Sequence, residues 1–439
     1  MAGKNLQEIL QSNAAGCGSV ASLVRQCLQR INECDGRIRA MVFLDHEGAL
    51  QRAAELDDLV DCGGEPLPLH GVPIVIKEIF SISGMPDSSG SRLQTPELFT
   101  GEGAFVARLR EAGCVILGKS LSTEFALSHF NTSRPMPVNP VDEVVERATG
   151  GSSCGSAAAM AAGYCGFSIG TDTGGSVRAP AALCGLVGFK PTAGLWSADG
   201  VFPLFKGFDT PGIFSTSAKD MAYIYEQLSG DAVLGNGGHE PLRIGVPEGF
   251  FQEDLDETVT TAFNKAKSKI ALAGHELVDI KLPAMEVVRD YFSAALPAEL
   301  LARLGRERVQ NDASLLDPLT LGRLDAVMDS YGDIATRAAV NDLRNETENI
   351  LRAAGLSCWI SPTVPCVAPP QRTLMNPDNL LDWQAYVSRN TRVINALDMA
   401  AISMPLQGAL PVGLQLAGPH GSDARLLAQA VQLESLLKL

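Results

Sequence analysis

Residues 150–176 read GGSSCGSAAAMAAGYCGFSIGTDTGGS, and no other stretch limits the fold so tightly. SAAAMAAG is a helix of small side chains, which can bury itself only by lying very close to its neighbours. FSIGTDT, an apolar run bounded by turn residues, reads as the strand that follows. One helix and one strand therefore join two glycine- and serine-rich loops, 150–156 and 170–176, and that connection is short enough to set the loops side by side. Whatever the rest of the chain does, it has to build layers around this unit.

The flanking segments agree. In SVASLVRQCLQRINEC, Val20, Leu23, Val24, Cys27, Leu28 and Ile31 keep the spacing of one buried helix face, and the first 60 or so residues read as helical. VPIVIK then reads as a buried strand ending at Lys77, AFVARLREAG as a helix stopped by Gly113, and CVILGK as the next strand. LRIGVP, HELVDI, CWISPT and LPVGLQLAG continue the strands. ETVTTAFNKAKSKIALAG, a mainly helical stretch over 285–353 and a closing SDARLLAQAVQLESLLKL supply helices. This alternation predicts an α/β layered protein with a largely covered sheet. With no internal repeat and no low-complexity linker, 1–439 is expected to be one domain: a helical segment over 1–65, a catalytic core over 66–230, and the remainder of the sheet with a helical pocket segment over 231–439.

Charge and cysteine usage narrow the partners. Thirty-five Lys and Arg against 50 Asp and Glu give a net charge of −15, which argues against nucleic acid or an anionic membrane as partner. Ten cysteines are scattered without a C-x-x-C pair or zinc-ligand spacing, as expected for reduced thiols in a cytoplasmic protein without a metal or other cofactor. The polar start, MAGKNLQEILQSN, has no signal-peptide character, and no apolar run is long enough to span a bilayer.

Within GTDTGGSVRAP, Ser176 follows two glycines, but a hydroxyl needs a base before it attacks anything. The six histidines stand in no Ser-His-Asp context, and no G-x-S-x-G elbow is present. Taken alone the loops are ordinary turns, and a phosphate cradle would need a Walker or dinucleotide fingerprint that is absent. Lys77 is the candidate base. It ends a buried strand between apolar neighbours, where desolvation lowers a lysine pKa, although a strand-end lysine on its own is ordinarily a snorkelling surface residue.

The combination resembles the amidase signature family of serine amidohydrolases. The similarity is carried by GVPIVIKEIF (71–80), GKSLSTEFA (118–126), GGSSCGSAAAMAAG (150–163) and GTDTGGSVRAPAALCGLVGFKPT (170–192), with weaker matches at ISPTVP (360–365) and LPVGLQLAGP (410–419). The resemblance implies a mixed central β-sheet covered by helices and a Ser–cis-Ser–Lys catalytic set. Carried over by position, Ser176 is the nucleophile, Ser152 the bridging serine behind a cis peptide, and Lys77 the base. The backbone amides of Thr173, Gly174, Gly175 and Ser176 would face the oxyanion, with Ser153, Asp172 and Arg178 in support. Cys154 is taken as a packing residue and Lys190 as structural.

Two segments depart from the family pattern. GVFPLFKGFDTPGIFSTSAKDMA (200–222) lacks the usual His and Arg near Thr210 and Ser215, and HFNTSRPMPVNP (129–140) is shorter than the family norm. Compact length resembles stand-alone hydrolases of small linear amides, malonamidase and the allophanate- or biuret-type enzymes being nearest in character. The alternative is an ammonia-supplying component of an amidotransferase complex. A homodimer follows only from analogy with relatives.

Overall fold

A computed structural model describes residues 6–14, 19–233, 240–328 and 337–437. Eleven strands form one mixed sheet: β1 (Met41–Leu44), β2 (Pro73–Lys77), β3 (Val115–Ser120), β4 (Phe167–Thr171), β5 (Val187–Lys190), β6 (Pro211–Ser215), β7 (Arg243–Pro247), β8 (Glu276–Ile280), β9 (Trp359–Pro362), β10 (Ala400–Leu406) and β11 (Val412–Gly418). Their spatial order is β1-β3-β2-β4-β6-β5-β10-β11-β9-β7-β8. The strands β3, β2 and β4 run parallel, as do β9, β7 and β8, and the centre between them is antiparallel. Helices cover both faces, which is why β2 through β6 are buried at every residue, their lysines included.

The N-terminal segment needs correction. It is not wholly helical, because β1 lies between the helices Val20–Ile38 and His46–Asp61 and pairs antiparallel with β3. Four residues are too few to break a helical reading by periodicity alone. The helical stretch over 285–353 resolves into Glu286–Leu304, Arg306–Asn311, Pro318–Met328 and Arg337–Ala353, and its part over 329–336 lies outside the described residues, as do 1–5 of the polar start and the last two residues of the closing helix.

The small-residue helix, Cys154–Ala161, lies where its composition demands. A side chain on Gly155 would meet the Ala40 carbonyl oxygen at 2.4 Å and the Leu121 backbone at 2.4 Å, so only glycine allows this approach. Ala157, Ala158 and Ala159 are completely buried against the same layer as Val75. Side chains alternate along β2, so Lys77 leaves the strand on the face of Val75, toward the start of that helix. The nine described cysteines are unpaired, six of them buried. Among the described residues no helix is long and apolar enough to cross a membrane, and no group of His, Cys, Asp or Glu is placed to hold a metal ion.

Candidate active site

The ends of the neighbouring parallel strands β2 and β4 and the two glycine-serine loops meet at one point. Lys77 Nζ lies 2.7 Å from Ser152 Oγ and 2.8 Å from Thr171 Oγ1. The Gly151–Ser152 peptide is cis. Ser153 ties the two loops together: its hydroxyl donates to the Thr171 carbonyl at 3.2 Å and accepts the Thr171 N–H at 3.3 Å, and its own N–H donates to the Ser176 carbonyl at 3.3 Å. Thr171, which sequence reasoning did not single out, thus gives Lys77 a second hydroxyl partner besides Ser152. Its position at the end of the strand before TGGS was the available signal.

Lys77 is wholly buried, and among the described residues no carboxylate lies within ion-pair distance of it. Burial lowers its pKa from 10.5 to about 7, against the opposing pull of Cys154, Asp172, Asp209 and Glu78. Glu78, next in sequence, is engaged elsewhere, accepting from Ser88, the Ser122 N–H and Arg134. Near neutrality a large fraction of Lys77 is therefore a free amine, with a lone pair to accept the Ser152 proton across the same 2.7 Å contact. Cys154 begins the small-residue helix with its thiol on the Leu121 carbonyl and is pushed up to about 12 by burial, so it is a buried neutral group. Lys190 donates to the Pro191 carbonyl at 2.7 Å.

The loop carrying Ser176 is built on a second buried polar cluster, an ion pair. Asp172 and Arg178 are both fully buried, with Nε–Oδ2 at 3.0 Å and Nη2–Oδ1 at 2.9 Å. Burial alone would raise the Asp172 carboxyl, but the Arg178 charge and its hydrogen bonds hold it well below the usual carboxylate range. The carboxylate also takes the N–H groups of Gly175, Val177 and Arg178. Neither side chain lines the cavity beside Ser176. The Gly175 amide is thus committed to Asp172, unlike the expectation that all four amides face an oxyanion. Among the described residues no acceptor takes the N–H of Thr173, Gly174 or Ser176. Gly175 itself is required, since its φ is +114° and a side chain there would strike Thr391 Oγ1 at 2.0 Å.

Ser176 is 8% exposed and opens on a narrow cavity lined by Leu127, Ser128, His129, Thr173, Gly174, Leu204, Leu296, Gln384 and Arg392 among others. Both departing segments contribute. His129 places Nδ1 on the Gly151 carbonyl, and burial, with the Arg392 charge adding to it, lowers its pKa to about 3, so it is a neutral N–H donor to the cis loop. Leu204 forms wall, while half-buried Asp209 accepts from Thr173 Oγ1 at 2.7 Å and from the Leu204 and Phe205 amides. His129, Asp209, Gln384 and Arg392 were not anticipated from sequence.

Comparison with known proteins agrees with this architecture. The family model described as Amidase matches residues 22–427, and the chain belongs to the amidase signature family of amidohydrolases. It is 31% identical over 432 residues to a 2-amino-5-chloromuconic acid deaminase of Comamonas testosteroni, covering 95% of this chain and 93% of that protein. It is equally 31% identical, over 463 residues and the same shares, to a glutamyl-tRNA(Gln) amidotransferase subunit of Alkaliphilus metalliredigens. A crystal structure of an amidase superimposes with a TM-score of 0.87 at 30% identity, covering 99% of this chain and all of the other.

Proposed function

We propose that this protein hydrolyses the C–N bond of a small linear amide through an acyl-enzyme on Ser176. The observation that carries the reading is a wholly buried lysine, without a carboxylate partner, 2.7 Å from Ser152 Oγ in the loop that lies against Ser176. Neutral Lys77 takes the Ser152 proton as Ser152 takes that of Ser176. Ser176 Oγ bonds to the amide carbon, and the free amides of the 173–176 loop receive the developing oxyanion. Ser152 passes the proton to the departing nitrogen, the C–N bond breaks, and water repeats the sequence on the ester. One lost oxyanion donor costs about 3 kcal/mol in such sites, so the remaining amides matter individually. The small cavity, walled by Leu127, Leu204 and Leu296, supports a small substrate.

The activated serine is tested by treating the protein with a fluorophosphonate and mapping the adduct. A single adduct on Ser176, lost in Lys77→Met, is the expected result; labelling elsewhere, or none, removes the acyl-enzyme reading. The base is tested by pH. Because Lys77 works as the free amine and its folded pKa is lowered to about 7, kcat/KM rises with pH through about 7 and levels off above it. A profile flat across about pH 6 to 9 takes Lys77 out of the proton transfer.

Similarity to a glutamyl-tRNA(Gln) amidotransferase component over 95% of the chain favours a second reading, an ammonia-supplying protein that works with partners. The isolated chain decides between them: turnover of simple amides but not glutamine excludes the ammonia-supplying role, and glutamine hydrolysis that appears only with added partner proteins excludes the stand-alone enzyme.

A further inference from the structure

Two buried arginines, one lining the cavity of the nucleophile and one bonded to its wall, have no counter-ion among the described residues. Arg392 is 4% exposed and lines the cavity into which Ser176 opens, its stem packed over Gly174, where a side chain would lie 3.5 Å from Arg392 Cγ. Among the described residues its one side-chain hydrogen bond goes to a neutral hydroxyl, Ser293 Oγ, at 3.3 Å. Arg323, 8% exposed, reaches the same neighbourhood from the helix Pro318–Met328, and among the described residues its side chain bonds only to the Leu127 carbonyl and Ser128 Oγ. Leu127 and Ser128 themselves line the cavity. Among the described residues neither guanidinium has a carboxylate within 4 Å, and each lowers the proton affinity of its surroundings, His129 included.

Arg178 is the internal comparison. It is equally buried, but its donors are satisfied by Asp172, Gln415, Asn395 and the Thr391 carbonyl. An unpaired buried charge is costly, so a protein that pairs one guanidinium so fully and leaves another open has a use for the open one. A guanidinium offers five donors in a planar fork matched to a carboxylate, and Arg392 has spent one of them. The walls otherwise supply neutral Ser128, Gln384 and Thr173 and apolar Leu204 and Leu296.

We propose that the substrate is an anionic amide, whose free carboxylate is held by Arg392 with Arg323 reinforcing the positive field, the half-amide of a short dicarboxylic acid being the simplest case. This rests on the amidase reading and names its substrate class. Hydrolysis of such a half-amide breaks its C–N bond, adds water, and yields the dicarboxylate and ammonia. Arg392 takes no proton; it selects the substrate and orients the amide against Ser176.

The test compares malonamate, succinamate and glutaramate with the corresponding neutral diamides on the full chain. At least one half-amide should exceed its diamide in kcat/KM by about 100-fold or more, because the diamide leaves the buried charge unpaired. In Arg392→Met that preference should collapse, with kcat/KM falling far more for the half-amide than for the diamide. Diamides turned over as well as or better than half-amides by the wild type overturn the proposal while leaving the amidase reading intact. A second readout is independent of turnover and of how the variant folds: succinate, malonate or glutarate should slow fluorophosphonate labelling of Ser176 in the wild type, and the neutral diamides should not. Absence of protection by every dicarboxylate also overturns it. Failure of labelling itself would instead remove the amidase reading.

Discussion

Replacing Lys77 by methionine is expected to lower kcat by on the order of 10³ to 10⁶-fold, with the fold retained. The size follows from the way a relay works. Ser176 has no histidine beside it to accept its proton except His129, and burial with the Arg392 charge leaves that ring too weak a base, at about 3, to serve. The remaining path runs through Ser152 to Lys77, so removing the amine removes the only base the site offers among the described residues. For the same reason Ser152→Ala added to Lys77→Met should cost little more, since residues that act as a unit are not additive. Stability should move the opposite way. Lowering Lys77 from 10.5 to about 7 corresponds to a penalty on the order of 5 kcal/mol on its charged, folded form. Between about pH 7 and 10.5 the unfolded chain binds the proton that the folded chain does not, so wild-type stability rises with pH across that window. Methionine has no such dependence, and the variant should gain most over the wild type at and below pH 7. Stopped-assay kinetics and thermal melts at two pH values check both halves. Activity within tenfold of wild type would take Lys77 out of the chemistry.

How much of this was visible in the amino-acid order depends on where each residue's role is encoded. Lys77, Ser152 and Ser176 belong to local patterns, a buried strand with a charge at its end and two glycine-rich loops flanking a small-residue helix, and each pattern exists because nearby backbone demands it. The strands β2, β3, β4, β7, β8, β9 and β11 were legible as apolar runs bounded by turn residues, whereas β5, β6 and β10 are broken by glycine, serine or proline and β1 runs directly between two helices, so these four were not. The helix Pro377–Ala396 went unread for a more informative reason. Its buried residues include the polar Gln384, Ser388, Asn390, Thr391, Arg392 and Asn395 beside the apolar Leu380, Val387, Val393 and Ile394, so polar residues interrupt the apolar stripe by which a buried helix announces itself. Thr391 and Asn395 support the Asp172–Arg178 pair, and Gln384 and Arg392 wall the cavity. The site hid the helix that completes it. His129 and Asp209 were missed similarly, since their partners, the Gly151 carbonyl and the Thr173 hydroxyl, lie 22 and 36 residues away and nothing in the local order marks the pairing.

Asp172→Asn is expected to destabilise the protein by about 3–5 kcal/mol, the usual cost of removing one partner from a buried ion pair. The amide keeps the shape but not the charge, so Arg178, fully buried, is left without a counter-ion. The amide's NH₂ group is also turned toward donors: the carboxylate now takes Gly175, Val177 and Arg178 N–H and the Asn395 side chain, and an asparagine can accept at only one of its two end atoms. The loss should therefore appear in the loop of Ser176 as well as in the melting temperature. The double change Asp172→Asn with Arg178→Met should recover part of the stability, since it removes the stranded charge, yet should not recover activity, because Gly175 and Val177 still lack the acceptor that shapes the loop. Wild-type stability should show the same pair as an acid limb. The folded carboxyl is depressed, so its contribution is complete above the unfolded value of about 3.9 and is lost as pH falls toward the folded one. Asp172→Asn should flatten that limb. Denaturant melts of the wild type and both variants at neutral pH and at about pH 3.5 provide the measurement. A single variant as stable as the wild type would mean that the surrounding amides and Asn395, not the charge, hold the loop.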